Sequence, residues 1–232
     1  MDGLNLTRRD FIRFLSVLGA CVFIPEYIVY GKEVKKMLTN YDKQGFYVRF
    51  INPIEPVNHK TWRLEVGGLC ENPKIFDLKT LKDFPKSTQI SRLKCVESWS
   101  SKANWGGFRP KELFKVVKPK KEAKYVYFYS ADEYYEFIPI EDLLHPRTIF
   151  AYTMNDAPLP DEHGGPLRLI IPPKYGYKSV KTIMKIQFVD KEDKGYWAKW
   201  GYSNEATIQP GWDYALDLDR HIKVEEPGEL KY

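Results

Sequence analysis

The stretch LKCVESWSS, residues 93–101, ends an alternating apolar run on a single cysteine, Cys95, and follows it with Glu97, Trp99 and three serines. Three uses of that thiol compete. It can be a small buried apolar side chain, half of a disulfide, or a thiolate that holds a soft metal or attacks an electrophile. The other cysteines, Cys21 and Cys70, form no C-x-x-C pair with it and have no closely spaced histidine. A tetrahedral zinc site therefore has little support, while pairing of Cys70 with Cys95 stays open.

Three further segments place polar groups where a plain strand or turn does not require them. YSADEYYEFIP (129–139) carries Ser130, Asp132 and Tyr134-Tyr135. In DEHGGPLRLIIPPKYGYKSVKTI (161–183), His163 and Arg168 bracket a Gly-Gly-Pro turn, and Lys174, Lys178 and Lys181 follow a second one. QGFYVRF (44–50) sets Arg49 in an aromatic run. Each feature taken alone has an ordinary structural explanation. Arg168 resists it most, because it interrupts the apolar run PLRLIIPP and a buried cation needs an anionic partner. The physical reading is an anion site, with Arg and Lys as donors and glycines admitting close backbone approach, beside a soft sulfur ligand.

From about residue 44 to 214 the chain resembles a molybdopterin-dependent oxidoreductase of the sulfite oxidase family. CVESWS followed by WGG is similar to the loop whose cysteine ligates molybdenum, which implies Cys95 as metal ligand beside one pterin per molybdenum. EHGGPLRLIIP and YKSVK resemble the segments that hold the pterin and its phosphate, implying His163, Arg168, Ser179, Val180 and Lys181, with Ser179 and Lys181 acting partly through backbone N–H groups. Ser130 stands where some relatives have a cofactor-binding Thr, and Phe46, Tyr47 and Arg49 match a cofactor-contacting strand. Tyr134 falls where sulfite-oxidising relatives carry an active-site Tyr. The Cys95 loop looks more like that of periplasmic methionine sulfoxide reductases, whereas His163 follows the sulfite oxidases. The resemblance implies two-electron oxygen-atom transfer on a small sulfur or nitrogen compound, either sulfite oxidation or S- or N-oxide reduction. Arg49 would favour anions, Tyr134 would hydrogen-bond the labile oxygen, and Lys102 is the one cation in the Cys95 loop. Electrons would pass singly to or from a c-type cytochrome or a haem-bearing membrane subunit, since no C-x-x-C-H motif occurs here. Nothing in the match implies the immunoglobulin-like dimerisation domain of larger sulfite oxidases.

The elements that must position these groups are short. FYVRFI (46–51), TWRLEV (61–66), QISRLKCV (89–96), KYVYFYS (124–130), TIFAYTM (148–154), LRLIIP (167–172) and TIMKIQFV (182–189) read as strands; LKTLKDF (78–84), PKELFKVV (110–117) and IEDLL (140–144) read as helical turns. Such helices cannot cover a parallel sheet on both faces, so the expected class is α+β with mixed sheets, in one body over 40–232 that includes the aromatic tail. With 232 residues, 43% hydrophobic and 15% aromatic, the chain can bury a real core. The net charge of +5 belongs to the body. Its densest basic run, KPKKEAK (118–124), reads as a solvated turn, so no nucleic-acid partner is expected. Residues 1–30 read as an export signal or anchor: Arg8-Arg9 precede an apolar run from Phe11 to Ile24 that is short for a membrane span, and they resemble the twin-arginine signal that exports folded proteins. The expected location is the periplasm or the outer face of the cytoplasmic membrane. Membrane attachment through this segment stays open, with LGAC (18–21) a loose lipoprotein-type box at Cys21. The competing functional class is a non-catalytic exported protein that binds an anion in the same cationic pocket.

Overall fold

The computed structural model describes residues 45–52 and 56–232, which lie in a compact unit running from Asp42 to Tyr232. In chain order the elements are β1 (Leu64–Gly68), β2 (Lys74–Phe76), α1 (Leu78–Lys82), β3 (Lys86–Lys94), β4 (Trp99–Phe108), α2 (Pro110–Val117), β5 (Tyr125–Ser130), β6 (Tyr135–Pro139), α3 (Ile140–Leu144), β7 (Ile149–Met154), β8 (Ala157–Pro158), β9 (Arg168–Ile170), β10 (Ile183–Val189), β11 (Gly211–Ala215) and β12 (Arg220–Val224). Short 3-10 turns occupy Asp161–His163, Gly176–Lys178 and Trp197–Trp200.

Alternation along the strands decides which face meets the core. In β5, Val126, Phe128 and Ser130 point inward while Tyr125, Tyr127 and Tyr129 lie on the half-buried face. This strand belongs to a five-stranded sheet of order β2-β1-β10-β5-β6. A seven-stranded sheet runs β12-β11-β4-β7-β8, with β3 paired to β4 and β9 to β7. β1 with β10 and β11 with β4 are parallel, the other pairs antiparallel, which is the mixed-sheet α+β class expected from the sequence. The main core, with Phe108, Val126, Phe128, Phe150, Leu169, Ile186 and Phe188, fills the space between the sheets. Helix α2 starts with Pro110 at its first turn, buries Leu113 and Val117, and stops at Lys118 in a left-handed cap.

β7 is buried on both faces: Phe150 and Tyr152 enter the inter-sheet core, while Ile149 and Ala151 enter a second cluster with Phe46, Trp99, Trp105 and Ile170. That second cluster positions the candidate site. The stretch 46–51, expected as a strand, forms no regular strand. Its polar groups are taken by side chains instead: the Ile51 N–H donates to Asp132 (3.2 Å) and the Arg49 carbonyl accepts from Lys181 Nζ (2.8 Å).

Candidate active site

β3 ends at Lys94 and β4 begins at Trp99, so Cys95 opens a four-residue connection closed by its own N–H on the Trp99 carbonyl (2.8 Å). Ser98 takes the left-handed conformation that the turn needs (φ 65°). From behind, the turn is fixed by buried polar groups: Lys94 Nζ meets Asp213 Oδ1 at 2.7 Å, Ser100 donates to the same carboxylate, and the Tyr214 N–H holds the Ser98 carbonyl at 2.9 Å. The Cys95 side chain is half-buried and, like those of Tyr47, Leu93 and Tyr214, packs on the second cluster. Burial pushes its thiol pKa up to about 11. Its sulfur lies 3.8 Å from Glu97 Oε2, which also accepts from Trp99 Nε1 (3.2 Å) and Arg49 Nη2 (3.5 Å). Cys70 and Cys95 are both free thiols, Cys70 lying in the inter-sheet core, so the pairing left open by the sequence is not formed.

Arg168 opens β9, facing Ala151 of β7. Its guanidinium is enclosed, with Nη1 donating to the His163 carbonyl (2.8 Å), Nη2 only weakly to the Ser179 carbonyl (3.4 Å), and the Trp105 ring 5.1 Å away. Nε is buried without a partner, and among the described residues no carboxylate pairs with this cation. Desolvation pulls its pKa down to about 9. Such a group calls for an anion.

The strap 179–182 runs alongside: the Leu169 N–H donates to the Val180 carbonyl (2.8 Å) and the Thr182 N–H to the Gly164 carbonyl (3.1 Å). Gly164 has φ +97°, and a Cβ there would stand 2.7 Å from that of Lys181, so the Gly-Gly-Pro turn needs its first glycine for both conformation and space. Lys181 Nζ reaches the Arg49 and Glu162 carbonyls (2.8 and 3.1 Å), and Ser130 Oγ donates to the Lys181 carbonyl (2.7 Å). The Phe46 ring packs edge-on against both His163 and Trp105. The Val180 side chain is in the inter-sheet core and its carbonyl is taken, so contact with any ligand falls to its N–H.

The structure thus brings together Phe46, Tyr47, Arg49, Cys95, Ser130, His163, Arg168, Ser179, Val180 and Lys181 through a chain of direct contacts. Tyr134 meets this set through its backbone, its carbonyl accepting from the Ser130 N–H (2.8 Å), while its side chain points elsewhere. It packs in the inter-sheet core against Tyr196, and its hydroxyl lies 3.1 Å from Glu136 Oε2 and 2.7 Å from the Tyr177 carbonyl. Lys178 is no part of the ring either, being buried in an ion pair with Glu136 (2.7 Å), and Lys174 pairs with Asp142 (3.2 Å). Lys102 lines a cleft with Arg92, Arg147 and Tyr232, away from the thiol. Sequence reasoning missed two buried hydroxyls without partners, Ser101 and Thr182. The serine run after Cys95 was the available signal for the first; nothing local marks the second. It also missed the Lys94–Asp213 pair, whose members lie 119 residues apart.

An orphaned guanidinium nitrogen, two orphaned hydroxyls and a half-buried thiol are donors suited to a phosphorylated group that also binds a thiophilic metal. Comparison with known proteins agrees. The family model described as oxidoreductase molybdopterin binding domain matches residues 51–197. The chain belongs to that family, which makes it a molybdopterin-binding oxidoreductase of the sulfite oxidase type. It is 31% identical over 173 residues to the protein-methionine-sulfoxide reductase catalytic subunit MsrP of Campylobacter jejuni, covering 66% of this chain and 58% of that one. It is 35% identical over 180 residues to MsrP of Ralstonia nicotianae, covering 67% and 54%. The chain therefore spans a little over half the length of these relatives. Among solved structures, the sulfane dehydrogenase SoxCD of Paracoccus pantotrophus shares the fold, with TM-score 0.57, 23% identity, and coverage of 60% of this chain and 40% of that one.

Proposed function

We propose that this chain is the body of an exported molybdenum enzyme that reduces a small sulfoxide, with one pterin per molybdenum. The observation that carries the reading is Arg168, a fully enclosed cation with an unpartnered Nε beside the strap 179–182. Arg168, Lys181 and the backbone N–H groups of Ser179 and Val180 hold the phosphate, Ser130 and His163 contact the pterin, and Phe46, Tyr47 and Trp105 wall it from water. Cys95 holds the metal through sulfur. When bound, the cofactor supplies exchange of one oxygen atom and two electrons with substrate. The overall change is sulfoxide plus two protons and two electrons to thioether and water. The electrons arrive singly from a haem protein, either a c-type cytochrome or a haem-bearing membrane subunit. The sulfoxide direction follows the relatives named as methionine sulfoxide reductases. Tyr134 has no contact with substrate in this scheme; it supports the 176–178 turn that leads into the strap.

Export through the twin-arginine pathway to the periplasm is part of the proposal. Arg8, Arg9 and Cys21 lie outside the described residues, and among those described no helix is long and apolar enough to cross a membrane. Replacing Arg8 and Arg9 by Lys is expected to keep loaded protein in the cytoplasm.

The central test is molybdenum and pterin content of protein made in a molybdopterin-producing host, with turnover of methionine sulfoxide by an artificial donor beside turnover of sulfite by an artificial acceptor. Cys95→Ser is expected to abolish turnover and the thiolate-to-metal absorption band, and Cys70→Ser to change neither. Metal-free protein that binds only anions would favour the non-catalytic alternative.

A further inference from the structure

We infer that Glu97 selects substrate by charge: its carboxylate neutralises Arg49 at the mouth beside Cys95 and turns the site toward uncharged oxygen donors, away from oxyanions. The inference rests on the catalytic reading above and adds to it the residue that sets the substrate class.

Two N–H donors and the Cys95 sulfur surround one oxygen of Glu97. Trp99 Nε1, Arg49 Nη2 and Cys95 Sγ lie 3.2, 3.5 and 3.8 Å from Oε2. Trp99 is itself buried and braced edge-on by Tyr47 (5.2 Å), and the Arg49 guanidinium lies 5.5 Å from the same Tyr47 ring. The carboxylate is thus held in place by a fixed indole. Both charged side chains are about half exposed, 48% for Arg49 and 52% for Glu97. Both are therefore open to solvent. Arg49 alone would draw sulfite-type anions; paired, it presents no net charge. An anion reaching the Cys95 sulfur must pass within a few ångströms of a carboxylate, whereas a neutral sulfoxide meets no such repulsion. With solvent screening at half-exposed groups, the expected discrimination is roughly tenfold in affinity.

The test compares wild type with Glu97→Gln, which keeps an oxygen acceptor for the Trp99 indole and removes the charge. Metal and pterin content of both proteins is measured first, so that an empty wild type is read against the catalytic proposal and not against this one. Sulfate affinity by calorimetry reads the charge whether or not metal is present. Sulfate binding is expected to tighten about tenfold in Glu97→Gln, and the ratio of kcat/KM for sulfite to that for methionine sulfoxide to rise by a similar factor. Both gains should shrink with added salt and disappear when Arg49→Met is added, because the released guanidinium is what attracts the anion. A merely structural Glu97 would leave both unchanged in the Gln variant. Sulfate affinity and substrate ratio within twofold of wild type would overturn the inference.

Discussion

Arg168 is enclosed, charged and without a carboxylate among the described residues, so at the scale of single residues its effect on stability should depend on whether the proposed phosphate site is filled. A buried cation with no counter-ion costs the fold its desolvation free energy, which the Trp105 face returns only in part. Arg168→Met is therefore expected to raise the Tm of cofactor-free protein, by about 1–4 kcal/mol in stability, while the variant retains no cofactor through purification. Thermal unfolding of the two proteins with and without cofactor checks this. A variant destabilised in both states would show that the guanidinium serves the fold and not a ligand. Cys95 and Arg168 were legible in the sequence because each broke an apolar pattern. Tyr134 was named from the family resemblance, and its hydroxyl is engaged by Glu136 and the Tyr177 carbonyl.

Elements transmit constraints that no single residue reveals. The WGG triplet reads as part of a metal-binding loop, yet both glycines sit where β4 runs against β7 with a register shift between Gly106 and Gly107. A Cβ on Gly107 would collide with the Phe150 carbonyl. Gly107→Ala should displace β7, and with it β9 and Arg168, giving a cofactor-poor protein of clearly lower Tm although the residue touches no ligand; metal analysis and calorimetry read both effects. The Glu136–Lys178 pair makes a similar point. Burial pushes the carboxyl pKa up and the ammonium pKa down despite their 2.7 Å contact, so desolvation outweighs attraction. Lys178→Met is expected to cost about 3–5 kcal/mol by leaving a buried carboxylate alone, and adding Glu136→Gln should recover much of it. A denaturant-unfolding cycle measures the coupling. Strand β5, with its clean alternation, the apolar runs of β7 and β10, and helices α2 and α3 were readable within a residue or two. β4 was not, because its serines, lysine, asparagine and glycines mask a strand buried by its neighbours. The segment 46–51 was over-read because its aromatic run packs on the second cluster without pairing regularly.

On the scale of the whole molecule, the C-terminal tail locks the back of the Cys95 turn. Glu229 pairs with Arg147 (2.6 Å), Tyr232 OH reaches Asp213 (2.6 Å), and Arg92 donates to the Tyr232 carbonyl (3.2 Å). Deleting residues 229–232 is expected to cost about 2 kcal/mol, roughly 4–8 °C in Tm, and to lower molybdenum retention by loosening the Lys94–Asp213 anchor; unchanged metal content would separate the tail from the site. The pocket also has a timing built into it. Lys181 grips the Arg49 carbonyl across 132 residues of chain, and Arg92 ties to Asp217 across 125. No ribosome-bound fragment that stops short of Asp217 holds both ties, so completion of the proposed site is among the last events in the protein's birth, seconds after most strands have been synthesised. On the export route proposed for this chain, crossing the membrane waits for that completed shape.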